Sequence, residues 1–200
     1  PIDRAASLTG ARPESVLILA VAALQMLSLG ATSRLLPMPR DRKTLVLAYA
    51  ALILGVFPWI NVGQREQIVL IATLPYAALI AERRSGRPVA PWLALLIGIG
   101  AGLGFALKHY FLVVPAMLEL WLAARQRRDW KAARPELAAL ALVGMFYAGA
   151  ILFWARDFLT TILPMIRLAY GSTGAPSFAE LFQPVIVLGL AMGALTAAYQ

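Results

Sequence analysis

Apolar residues in this chain run in blocks, and each block stops where charges begin. A bilayer core about 30 Å thick takes roughly 20 helical residues to cross at about 1.5 Å per residue, so charge-free windows mark candidate spans. The windows are residues 15–33, 44–64, 67–81, 88–107, 110–124 with Glu119 inside it, 137–155 and 181–200. They lack the alternation of apolar and polar positions that barrel strands carry. Helices are the other way to satisfy a backbone in lipid. The pattern therefore predicts an all-α fold: a polytopic transmembrane helical bundle of about seven spans, forming a single transmembrane domain over residues 1–200. Pro58, Pro75, Pro115 and Pro184 predict kinks whose freed carbonyls find partners on neighbouring helices. Between the sixth and seventh windows, residues 156–180 hold a short amphipathic stretch (158–166) and a turn-rich one (171–177). This segment is expected on the outer membrane surface.

Composition sharpens the membrane reading. Hydrophobic residues make up 60% of the chain and charged residues 14%, which excludes an ordinary water-facing surface. The net charge of +8, from 18 basic and 10 acidic residues, would raise nucleic-acid binding in a soluble protein. Here the basic residues lie mostly in loops, so the expected partners are membrane lipids and not nucleic acid. The absence of cysteine and the single histidine exclude a disulfide scaffold and a site built from several His and Cys ligands; no metal is assigned. Because the first residue is proline and the last closes an apolar run, the chain is read as a fragment of a longer protein.

Loop charges set the expected orientation. Twelve basic residues, Arg34, Arg40, Arg42, Lys43, Arg83, Arg84, Arg87, Arg125, Arg127, Arg128, Lys131 and Arg134, fall in three loops on one side. The other six, Arg4, Arg12, Arg65, Lys108, Arg156 and Arg167, fall on the opposite side. The side with twelve should be cytoplasmic. Trp59, Tyr110 and Trp154 then sit at the outer interface, and Trp92 and Trp121 at the inner one. The alanine content and the 15 arginines against 3 lysines hint at a GC-rich bacterial source, hence an inner-membrane location.

Candidate chemistry gathers at the outer edge. The windows 67–81 and 110–124 hold fifteen residues each, about 22 Å of helix, so the charges at their outer ends reach water only by tilting, thinning or snorkelling. Those charges are Arg65, Glu66 and Lys108, with His109 alongside. They allow two readings. In one, Arg65 and Lys108 snorkel to headgroups while Glu66 neutralises Arg65. In the other, the two cations form an anion site in which arginine supplies a planar fork and lysine a point charge, with Arg156 and Arg167 closing over the same ligand. Glu119 is expected to pair with Arg125 or be solvated there, and His109 to be an interfacial hydrogen-bonding residue. Asp157 and Glu180 bracket the outer segment and offer weak grounds for a metal or hydroxyl site. The glycines at 98, 100, 102 and 104 lie inside an apolar window, so they are read as close-packing positions and not as a phosphate loop.

Residues 44–122 carry a family resemblance. An apolar span ends in Phe57-Pro58-Trp59 and is followed by Gly63-Gln64-Arg65-Glu66, a span with Leu74-Pro75-Tyr76 and a basic loop; then a glycine-rich helix ends in Phe105-Ala106-Leu107-Lys108 and leads into a span with Pro115. This order resembles the GT-C superfamily of membrane glycosyltransferases, in particular the dolichyl-phosphate-mannose protein mannosyltransferase and aminoarabinose transferase group. The resemblance implies a polyprenyl-phosphate-linked sugar as donor substrate, bound between helices at the outer face, with Arg65 and Lys108 on its phosphate. No counterpart of the family's catalytic acid precedes Ser15, so the catalytic residue is unknown and is expected upstream of Pro1; the need for a divalent metal stays open. The alternative, from a different class, is a transporter or flippase-like protein that binds an anionic lipid or solute without catalysis.

Overall fold

The structure, a computed structural model, describes residues 7, 10, 12–56, 62–107 and 109–172. Seven α-helices appear among them: α1 (Pro13–Leu35), α2 (Arg40–Gly55), α3 (Arg65–Arg84), α4 (Pro91–Ala106), α5 (Val113–Gln126), α6 (Pro135–Trp154) and α7 (Leu163–Ser172). No strand occurs among the described residues, so the fold is all-helical. Short 3-10 turns, His109–Leu112 and Arg127–Asp129, flank α5, and a π-turn, Phe158–Ile162, leads into α7.

The helix ends follow local rules. Proline opens α1, α4 and α6, where its missing N–H would have had no intrahelical partner. Glu66 in the first turn of α3 and Arg83 and Arg84 in its last turn complement the helix dipole. Gly86, at φ 69°, lets the chain leave α3 in a left-handed conformation.

The first six windows overlap α1 to α6, although α2 starts at Arg40 and ends at Gly55, against a window of 44–64. The window 67–81 is too short, however: α3 has 20 residues, about 30 Å, because its terminal charges belong to the helix. Arg65 and Glu66 are therefore in its first turn and not on a truncated span. The seventh window, 181–200, lies outside the described residues. Helix α7 also runs through Gly171 and Ser172, where the turn-rich stretch was expected to begin.

Two helices, α1 with 23 residues and α6 with 20, are long and apolar enough to cross a membrane; α4 is a shorter apolar helix of 16 residues. Large apolar side chains on their outsides are open to the surroundings, Leu27 and Phe146 both at 72%. A surface of that kind suits a hydrocarbon solvent better than water.

The chain divides into two compact units, Pro1–Ala148 and Gly149–Gln200. In the first, α3 is central: its Val69, Tyr76, Leu79 and Ile80 pack with Ala94, Ala101 and Phe105 of α4, and with Leu122 of α5. Tyr76 meets Phe105 edge to face at 6.0 Å. Pairwise contacts give the directions. Gln25 on α1 bonds Ala51 on α2, while Leu17 lies beside Gly63 and Ser28 beside Ile71, so α1 runs with α3 and against α2. Gly104 approaches Ala72, and Gly98 and Gly102 approach Glu136 and Val143, so α4 runs against α3 and with the first part of α6. The first unit is thus an up-and-down arrangement, with Arg34, Arg83 and Arg134 at one end and Arg65 and Leu107 at the other.

Pro75 sits inside α3 and cannot donate to the carbonyl of Ile71 four residues back. Ser28 on α1 donates its hydroxyl to that oxygen at 2.6 Å. The neighbour-helix compensation expected from the sequence is realised at this proline; Pro58 and Pro184 lie outside the described residues. Pro115 stands in the first turn of α5, a position that costs no interior bond.

Candidate functional site

The end of the first unit opposite the basic loops holds Arg65, the first residue of α3, with an exposed side chain. Glu66 beside it is exposed and engaged with a neighbour. The loop before α3 is fastened by Gln67, which is 5% exposed: its Nε2 donates to the Leu54 carbonyl at 2.8 Å, and its Oε1 accepts from Gly63 N at 2.7 Å. Leu54 is in the last turn of α2, where carbonyls have no helical donor, so one side chain caps α2 and ties the turn that launches Arg65. Sequence reasoning missed Gln67, whose place at the edge of an apolar window gives no sign of this role.

Lys108 lies outside the described residues. His109 opens the 3-10 turn that leads into α5. Arg156 and Arg167 belong to the second unit. Arg156 is exposed and donates Nε to the Leu152 carbonyl at 3.0 Å, so part of its guanidinium closes the end of α6; Arg167 lies on α7. Among the described residues no three His, Cys, Asp or Glu side chains gather as a metal would require.

A groove of about 700 Å³ runs between α1, α3 and α4. Ser28 and Arg34 of α1, Ile68 and Pro75 of α3, and Trp92 and Leu107 beside α4 mark its extent. It reaches from the Arg34 end to the Leu107 end; the fifteen steps from Trp92 to Leu107 measure about 22 Å along a helix. Among the described lining residues Arg34 alone is charged, and Ser28 is occupied by Ile71, so these walls offer hydrocarbon contact almost throughout. On α3 the lining residues Ile68, Ala72 and Pro75 fall at i+3, i+7 and i+10 from Arg65. Ile71 lines it as well, at i+6, so Arg65 stands at the edge of that face, one turn beyond Ile68 and outside the lining itself.

The glycines of α4 divide between packing and opening. A Cβ at Gly98 would stand 2.4 Å from the Glu136 carbonyl oxygen, and one at Gly104 would stand 2.7 Å from Ala72 Cβ. Gly102 is held by Val143 in the same way, so three of the four are close-packing positions. Gly100 differs: nothing lies within 4 Å of its added Cβ, and it lines the groove.

At the other end, an ionic cluster joins α3, α5, α6 and the loop before α6. Arg83 donates Nε and Nη2 to the two oxygens of Glu136 at 2.8 and 2.9 Å, and Glu136 is fully buried. Arg134 donates to Glu119, which also accepts from Tyr76 Oη at 3.0 Å and from Trp130 Nε1 at 3.3 Å. Gln126 donates to the Arg83 carbonyl at 2.7 Å. Glu119 thus pairs with Arg134 and not with Arg125 as expected: Arg125, six residues on, stands about 240° round the helix. Two arginines and two glutamates cancel in charge, so the cluster is a clasp for the helix ends.

Comparison with known proteins finds no match: no protein family, no curated protein and no solved structure is similar to this chain.

Proposed function

We propose that this chain is part of a polytopic bacterial inner-membrane glycosyltransferase that takes a sugar from a polyprenyl-phosphate donor and passes it to an extracytoplasmic acceptor. The observation that carries the reading is the apolar groove whose α3 wall starts at Ile68, one turn along the helix from Arg65. A prenyl tail entering from that end meets hydrocarbon, while its phosphate stays level with a guanidinium at the interface. Lys108, directly after groove-lining Leu107 in sequence, supplies the second cation.

In the reaction, the acceptor hydroxyl oxygen forms a bond to the anomeric carbon and the bond from that carbon to the phosphate oxygen breaks. The hydroxyl proton passes to a general base, and the departing phosphate takes the electron pair. Arg65 and Lys108 stabilise the charge that grows on it.

A transporter or flippase-like role uses the same cations but requires an anionic head to travel the bilayer depth. Between Leu107 and Arg34 the described groove walls offer such a head only Ser28, whose proton is given to Ile71, which makes that transit costly. The test is native mass spectrometry of the purified protein against an Arg65→Ala, Lys108→Ala double variant. A co-purified polyprenyl-phosphate mass that disappears in the variant supports the donor site; bulk phospholipid alone in both overturns it.

A further inference from the structure

The groove is about 22 Å tall along α4, whereas one leaflet of hydrocarbon is about 15 Å deep. The groove therefore reaches past the middle of the bilayer to the Arg34 end. That end has features of its own. Arg34 lines the groove, and among the described residues no acidic side chain lies within ion-pair distance of it. Its neighbours in the basic loops differ: Arg83 is held by Glu136, Arg87 by Glu82 and Arg134 by Glu119, so the three glutamates of this end are taken. Trp92, 55% exposed at the start of α4, supplies an amphipathic ring at the same level. One turn back from Arg34 on the same face, Gly30 lines the groove and a Cβ there would meet nothing within 4 Å. An uncommitted cation therefore stands over an open apolar slot.

We propose that this end of the groove binds an anionic phospholipid of the adjacent leaflet, its phosphate on Arg34 and one acyl chain in the slot beside Gly30. Charge complementarity selects the occupant. An apolar helix offers Arg34 no counter-charge and a zwitterionic phospholipid brings its own ammonium to its phosphate, whereas an anionic phospholipid provides phosphodiester oxygens and an unbalanced negative charge for the planar fork. The inference rests on the chain lying in a membrane and not on the transferase reading, since Arg65 and Lys108 take no part in it.

The experiment is native mass spectrometry of the full chain after exchange into vesicles of phosphatidylglycerol and phosphatidylethanolamine, reading the phosphatidylglycerol retained through delipidation. The intact chain should keep one phosphatidylglycerol. Arg34→Ala should lower that occupancy roughly tenfold, the size of one lost charge-assisted contact, with Arg34→Lys in between. Gly30→Leu should remove the lipid while leaving Arg34 in place, and Arg125→Ala, in a basic loop outside the groove, should change nothing. Gly30→Leu keeps the test open if Arg34→Ala does not fold. Retention unchanged in both Arg34→Ala and Gly30→Leu overturns the proposal, as does a polyprenyl phosphate or no lipid in the slot. A phosphatidylglycerol lost with Arg65→Ala but not with Arg34→Ala also overturns it. Loss of polyprenyl phosphate alone in the Arg65→Ala, Lys108→Ala variant leaves this site standing, so the two readings fail separately.

Discussion

Ser28 donates its hydroxyl to the Ile71 carbonyl, the oxygen that Pro75 leaves without its helical donor. One hydroxyl on α1 thus makes a proline tolerable in the middle of α3, at a buried position where water cannot substitute. Ser28→Ala should lower stability by about 1–3 kcal/mol, the cost of an unsatisfied buried acceptor. Pro75→Ala restores the donor within α3, so the serine deletion should cost much less in that background. Thermal unfolding of the two single variants and the double variant in detergent checks this; additive losses would mean that the two residues act independently.

Gly98 and Gly100 stand two residues apart on α4 and should respond oppositely to alanine. At Gly98 the new methyl meets the backbone of Glu136, with the carbonyl oxygen at 2.4 Å and Cα at 2.8 Å, so α4 and α6 must separate. A loss of about 1–3 kcal/mol is expected from overpacking against a backbone that cannot rotate away. Gly100→Ala meets open space and should gain up to about 1 kcal/mol from helix propensity. Melting temperatures of the two variants measure the contrast, and equal responses would contradict the assigned packing.

The difference between what the sequence disclosed and what it hid follows from how charges are used. Charge-free windows locate α1 to α6 because apolar blocks and helices coincide in a chain of this composition. They misplace the ends of α3, because Glu66, Arg83 and Arg84 favour the terminal turns of a helix instead of marking its outside. Spacing alone pairs Gly98 with Gly102 and Gly100 with Gly104 on two different faces of α4, but only the placement of α6 and α3 reveals that Gly98 is gripped and Gly100 open. Glu119 and Arg134 lie fifteen residues apart with a turn between them, and no periodic rule joins such a pair. Gln67 is hidden for the same reason: its acceptor Leu54 and donor Gly63 are brought to it by the α2–α3 turn.

The ionic clasp separates buried from exposed pairs. Glu136 is wholly buried between Arg83 and Arg134, so Glu136→Ala leaves Arg83 without its acceptor and Arg134 with Glu119 alone, and should cost about 3–5 kcal/mol. Arg87 also reaches its glutamate with two bonds, at 2.7 Å each, but its side chain is 46% exposed. Its partner Glu82 is buried, so Arg87→Ala should cost about 1–3 kcal/mol, less than Glu136→Ala because the arginine side of the pair is open to solvent. Limited proteolysis of the loop at 127–134 reads the same difference locally: cleavage should accelerate in Glu136→Ala and stay near the parent rate in Arg87→Ala.

For the proposed donor site, position along the bilayer normal is the variable that matters. Arg65 opens α3 one turn before groove-lining Ile68, whereas Arg127 lies in the turn after α5, at the opposite end of the first unit. Either Arg65→Ala or Lys108→Ala should lower sugar transfer from a polyprenyl-phosphate donor by roughly tenfold to a hundredfold, the loss of one charge-assisted contact to the departing phosphate. Arg127→Ala should leave transfer near the parent level while keeping the net charge change identical. The measurement is transfer from a radiolabelled lipid-linked sugar by membranes carrying the full-length protein, normalised to folded protein. If all three variants lose activity alike, the basic residues serve orientation in the membrane, and the groove must be assigned another occupant. If Arg65→Lys retains much of what Arg65→Ala loses, a point charge suffices there; if it does not, the two-pronged geometry of the guanidinium is what holds the phosphate.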